Sequence, residues 1–180
     1  VSTGIFEGFS VSHAAILDGT TGAEQADIYG VREGSVAVNS DQHDNTGDNA
    51  VLSSWFWFNY AELKISSGYI PFRVISLLTG ATVTSSSDSW SVPLWNQSSL
   101  NQPPKPVLIR VPSKDSLGAI RTMDIVLYRV QFQPIAFDGP TYKDGMTVNY
   151  TGRAVLSTVD EAGVALTEQS IGRLVNTSAA

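Results

Sequence analysis

The 180-residue chain contains no cysteine. That absence excludes disulfide staples, cysteine-ligated zinc and thiol catalysis. Histidine is scarce as well, with only His13 and His43, so a histidine-rich metal site is not expected. No apolar run approaches the roughly 20 residues of a membrane-crossing helix. The opening VSTGIFEGFS has neither a basic flank nor an apolar stretch and does not read as a secretory signal. Basic residues are in deficit, 11 Lys and Arg against 17 Asp and Glu, for a formal net charge of −6. A tight nucleic-acid binder needs a basic patch to release counterions. Gripping DNA or RNA is therefore not expected, although guiding nucleic acid along a repelling wall is compatible with this balance. Catalytic signatures are missing too: no G-x-S-x-G elbow, P-loop, G-x-G-x-x-G or H-E-x-x-H. Asp160 and Glu161 form the one adjacent acid pair that invites a catalytic reading, but they fall in a turn, where such acids are expected to be solvated. The residues give no reason to expect an enzyme, a cofactor or a bound metal.

What is present suits one globular domain spanning 1–180. Hydrophobic residues make up 42% of the chain and mean hydropathy is +0.01. This length buries a real core without staples. The organising stretch is VLSSWFWFNYAELKISSGYIPFRVISLLTG, residues 51–80. Residues 51–58 and 60–66 read as a pair of strands. Ala61, Leu63 and Ile65 alternate with Tyr60, Glu62 and Lys64, giving one dry and one wet face. The period then changes. Ile70, Val74, Ile75, Leu77 and Leu78 share a face at helical spacing, with Arg73, Ser76 and Thr79 opposite. Pro71 suits the first turn and Gly80 the left-handed stop, so a short helix is expected over about 69–79. Phe72 is the misfit on its polar side.

Elsewhere the pattern is β. GSVAVNSD (34–41) alternates, VLIRV (107–111) reads as a buried strand, and 121–137 is the longest strand candidate. In that last run Val126, Tyr128, Val130 and Phe132 share one parity against Leu127, Arg129, Gln131 and Gln133. Pro134 should end or bend it. A turn at 138–145 and an alternating run at 146–159 complete a large hairpin. Residues 96–106 read as an exposed Pro-rich loop. About 1–27 and 164–180 read as N- and C-terminal arms. The segment 41–50, DQHDNTGDNA, carries Asp41, Asp44, Asn45 and Asp48 without a basic or large apolar residue. It reads as a solvated loop between strands, with docking on another subunit next and a calcium loop a third possibility. Trp55, Trp57, Tyr128 and Tyr150 are candidate core or subunit-interface aromatics, since large aromatics pack in both places.

Three stretches carry a resemblance: IYGVREGSVAV (28–38), DNTGDNAVLSSW (44–55) and ISSGYIPFRVISLLTG (65–80). RTMDIVLYRVQF (121–132), DGMTVNYTGRAV (144–155), and DEAG followed by IGRL (160–163 and 171–174) extend it. In these the chain resembles the major tail tube proteins of long, flexible-tailed bacteriophages of actinobacterial hosts. The resemblance runs through most of the chain in order, with the first 27 residues and 96–106 poorly matched. It implies a mainly β fold, a β-sandwich or split barrel with one flanking helix, whose strands complete a β-barrel between subunits. It further implies hexameric rings that stack through loops and arms into a hollow tube in the virion, made in the host cytoplasm, with the 41–50 loop (Asp41, Asp44, Asn45 and Asp48) as the candidate ring-to-ring contact. Double-stranded DNA passes through an acidic lumen. Partners implied are further copies of the chain, tape-measure, tail terminator and tail-tip or baseplate proteins, with no membrane. Alternatives are another virion ring or decoration protein, such as a tail terminator or capsid decoration protein, or a monomeric carbohydrate-binding β-sandwich using exposed tryptophans.

Overall fold

The computed structural model describes residues 7–8, 11–47, 50–69, 71–85, 90–91, 102–114, 118–141 and 145–178. The fold is mainly β, built on a large antiparallel sheet, with one helix among the described residues. In chain order the strands are β1 (Glu7–Gly8), β2 (His13–Leu17), β3 (Glu24–Ile28), β4 (Val31–Gly47) and β5 (Ala50–Ser67). Helix α1 (Phe72–Thr79) follows, then β6 (Thr84–Ser85), β7 (Trp90–Ser91), β8 (Lys105–Lys114) and β9 (Ile120–Phe132). The chain closes with β10 (Ala136–Thr141), β11 (Gly145–Ala154), β12 (Ser157–Val159), β13 (Ala165–Ser170) and β14 (Gly172–Ser178).

The main path of the sheet runs β3-β2-β8-β9-β11-β5-β4. Seven strands laid flat would separate β3 from β4 by roughly 29 Å at about 4.8 Å per step. Yet only Tyr29 and Gly30 join them, with Gly30 at φ 61°. A link that short reaches on the order of 10 Å. The sheet must therefore curl until its two ends approach each other. Ser67 Oγ donates to the Tyr29 carbonyl and Gly68 N–H to that of Gly30, fixing the junction.

Alternation along the strands fills the inside of the curl. Ala14 and Ile16, Ala26 and Ile28, Ala61, Leu63 and Ile65, Val107 and Ile109, and Val148 and Tyr150 join one buried cluster. Val74, Ile75 and Leu78 add the apolar face of α1 to it. Gly80 stops the helix at φ 67°, as its sequence position predicts. Pro71 sits one step earlier than expected, at the cap in extended conformation, with no side-chain hydrogen bond. Leu77 is half-buried at the edge of the core, and Ile70 lies outside the described residues. Thr79, expected on the wet side, is buried because its hydroxyl donates back to the Ile75 carbonyl at 2.8 Å. A helical hydroxyl can satisfy itself this way and so needs no water.

Several boundaries differ from the sequence reading. Residues 51–66 are one strand rather than a pair, because Asn59 is absorbed as an extra residue in the β4–β5 ladder between Asn39↔Tyr60 and Ser40↔Phe58. A similar irregularity between Lys105↔Val130 and Val107↔Leu127 puts an extra residue in β9. That slip reverses facing. Leu127 and Val130 join the main core, while Val126 and Tyr128 form a second cluster with Leu17 and Leu108, covered by Leu166 of β13. The expectation that Val126, Tyr128 and Val130 share one face is thus corrected. Pro134 does interrupt the run, between β9 and β10.

The expected arms are also largely sheet. Ala14, Ala15 and Ile16 are fully buried, so 13–28 is integral to the fold. The C-terminal segment supplies β13 and then β14, which pairs with β9 from Gly172↔Leu127 to Ser178↔Arg121. Gly172 permits that approach, since a Cβ there would collide with the Val126 carbonyl oxygen. Asp160 Oδ1 accepts from the N–H groups of Ala162 and Val164 to close the β12–β13 turn. Its neighbour Glu161, expected to be solvated, is buried and ion-paired with Arg173.

Candidate assembly surface

The long β4–β5 hairpin divides into two unlike halves. Near its root, Ala61–Ser67 are flanked on both sides, by Val31–Val38 of β4 and by Val148–Ala154 of β11. β11 stops pairing at Ala154↔Ala61. From Tyr60 to Ala50, β5 has β4 along one edge and, among the described residues, no strand along the other. Among the described residues, β4 has no strand on its outer edge from Val31 to Gly47. At about 3.3 Å per residue the two-stranded part extends on the order of 35 Å beyond the sheet.

Burial marks the same boundary. Val36, opposite fully buried Leu63, packs on the core. Two residues on, Val38 lies opposite fully buried Ala61, yet is 62% exposed. Val38 is thus exposed at the margin of the core, against which Phe58, further along β5, is still partly buried. Polar contacts brace the neck. Asn59 Nδ2 donates to Asp41 Oδ2 at 2.9 Å, Asn39 Nδ2 to the Tyr60 hydroxyl at 3.4 Å, and the Arg153 guanidinium sits 4.7 Å from the centre of the Tyr60 ring.

Most of the predicted contact residues fall on this hairpin, but not as a loop. Asp41, Asp44 and Asn45 lie in β4, in register with Trp57, Ser54 and Ser53. Asp48 lies outside the described residues. The acidic stretch alternates poorly in hydropathy, and its pairing comes from the long partner strand instead. A paired, extended backbone is not the wrapped loop that calcium ligation needs. Trp55 and Trp57 lie in the same two-stranded part, opposite His43 and Asp41. Tyr128 and Tyr150 are elsewhere and buried at 5% and 1% exposure, so these two are core residues. Burial pushes both phenols up from their ordinary value, aided at Tyr128 by the charge of Glu161. No partner is found for the buried Tyr150 hydroxyl among the described residues.

The outward face of the β4–β5–β11 root carries Glu33, Glu62, Lys64 and Arg153, beside a hollow of about 340 Å³ lined by Ser35, Asn149 and Thr151. Lys64 Nζ meets Glu62 Oε1 at 3.3 Å. Two acids and two bases make this face mixed in charge rather than an acidic wall. Missed from sequence were Asn59, whose extra-residue role depends on pairing, and the Arg153–Tyr60 contact, which joins segments far apart in the chain. No protein-family model matches the chain, and no curated protein sequence matches it.

Proposed function

We propose that the chain is a structural subunit that assembles with copies of itself into stacked rings, the major tail tube protein of a long, flexible-tailed phage. The observation that carries this reading is the two-stranded half of β4–β5, with both outer edges unpaired among the described residues. An isolated two-stranded hairpin is marginal in water. Its open edges invite strand pairing with another chain. Strands contributed by neighbours in a ring meet both needs, because a closed barrel has no edges. The resemblance in 28–80 and 121–174 covers the same hairpin, the helix and the strands around it, and a mainly β fold with a flanking helix suits it. Net charge of −6 disfavours retention of DNA passing through such a tube. The mixed charge of the root face makes it a poor acidic lining, so the reading assigns the lumen to the hairpin. The ring-to-ring contact expected at 41–50 becomes a strand-edge contact.

Electron microscopy of the purified chain across a concentration series tests this. Stacked rings with a central channel are expected. A variant in which 43–55 is replaced by Asn-Gly, closing the hairpin at Gln42↔Phe56 with a two-residue turn, should fold as a monomer and form no rings. Normal tubes from that variant would sink the proposal. So would a wild-type chain that stays monomeric and fails to add to pre-formed tail tips. Quenching of tryptophan fluorescence by soluble glycans, without assembly, would support the carbohydrate-binding alternative instead.

A further inference from the structure

On the outer face of the β2–β3 hairpin three donor side chains converge. His13 Nε2 lies 3.2 Å from Glu24 Oε2 and 3.8 Å from Asp27 Oδ1, and all three atoms fall within 4.8 Å of one another. Ligands at about 2.0–2.2 Å from a tetrahedral ion stand roughly 3.4 Å apart, so little movement would close the set around one ion. All three side chains are partly shielded, between 28% and 40% exposed. Two guanidiniums face the cluster: Arg110 on β8, opposite His13 in register, makes two hydrogen bonds to Asp124 at 2.8 and 2.9 Å, and Arg73 of α1 borders the same hollow as Glu24 and Asp27. Glu24 and Asp27 also border a hollow of about 430 Å³ against the start of α1, giving space for water at open coordination positions.

We propose that His13, Glu24 and Asp27 form a three-ligand site for a divalent transition ion of the zinc class, clipping edge strand β3 to β2. One imidazole and two carboxylates give a borderline donor set, better suited to Zn²⁺, Co²⁺ or Ni²⁺ than to all-oxygen calcium. The competing arrangement is a protonated His13 bridging the same two carboxylates as a plain ion pair. Sequence reading missed the cluster because its members lie 11 and 14 positions apart across a turn, and only strand pairing gathers them.

Calorimetric titration of the full chain with Zn²⁺ tests the site. One ion per chain is expected, with changes at the His13 imidazole in NMR spectra and a rise in Tm. The near-isosteric E24Q and D27N, and H13Q, should each lose more than the roughly 10–100-fold in affinity that an outer partner costs, while keeping the wild-type circular dichroism. H43Q should bind as the wild type does. Absence of saturable Zn²⁺ binding, or binding unchanged in H13Q, would overturn the proposal and leave the ion pair. The result is independent of whether the chain forms tubes.

Discussion

The root and the tip of one hairpin follow different rules. At the root, β5 has neighbours on both edges, and Ala61, Leu63 and Ile65 are sealed beneath α1 and the curl of the sheet. At the boundary Val38 is exposed opposite buried Ala61, and beyond it, among the described residues, the same two strands continue with only each other. Stability belongs to the first half. The second half has the form of a structure awaiting a partner, since burial and edge pairing, not hydrogen bonds within a ribbon, make a hairpin persist. The two halves should therefore separate cleanly under mutation.

The largest effect is expected at the root. L63A removes a fully buried side chain and should cost about 2–5 kcal/mol in denaturant titrations of the monomer. V38K, at an exposed position where the tip begins, should change monomer stability by no more than about 0.5 kcal/mol and yet abolish ring formation. Equal losses of monomer stability from both would erase the division. Amide hydrogen exchange sharpens the same contrast, with Leu63 and Ile65 protected to the global limit and Trp55 and Trp57 exchanging by local opening.

Tyr150 offers the next effect, and its sign follows from burial. The folded phenol titrates above its unfolded value of about 10. Below that value both states hold the proton and the group adds no pH dependence. As pH rises past about 10 the unfolded chain sheds a proton that the folded chain keeps, so stability falls by about 1.4 kcal/mol per pH unit until the folded phenol also ionises. Y150F should abolish this group's alkaline slope. At neutral pH it should be neutral or stabilising by about 1 kcal/mol, since the lost hydroxyl has no partner among the described residues. A large neutral-pH loss would mean that the hydroxyl is bonded after all.

The root was legible in the sequence and the tip was not, for a physical reason. Alternation reports which face is buried, so Ala61, Leu63 and Ile65 announced their strand, and 3.6-residue spacing announced Val74, Ile75 and Leu78. Asp41 to Gly47 carry no such alternation, and Asp41 and Gln42 at its start are exposed. They read as loop, although β5 pairs them as strand. Facing also failed at β9, where one extra residue between Leu127 and Val130 reversed it. A bulge is set by the partner strand and leaves no composition signal. The His13, Glu24 and Asp27 cluster was hidden in the same way, by pairing rather than by local pattern.

The helix that packs on the core beside β3 supplies a smaller test. G80A places a Cβ at φ 67° and pushes it into the Gln102 amide. The left-handed strain should cost about 1 kcal/mol, a little more if Gln102 cannot turn aside. The loss should appear in monomer unfolding and leave ring formation intact at temperatures where the chain is folded. Failure of assembly in a stable G80A chain would mean that the end of α1 belongs to the contact surface.

The smallest effect is expected at the boundary itself. Arg153 is exposed, and its guanidinium lies over Tyr60, the last residue of β5 before the pairing with β11 begins. An exposed contact of this kind contributes about 0.5–1 kcal/mol. R153A should therefore lose about 0.5 kcal/mol, and R153A added to Y60L should lose less than the sum of the two single changes. The position of the contact gives it a second readout. If Arg153 anchors the neck, its removal should speed hydrogen exchange at Asn59 and Phe58 while Leu63 and Ile65 stay protected. Faster exchange on both sides of Tyr60 would place the boundary deeper in the sheet than the end of β11.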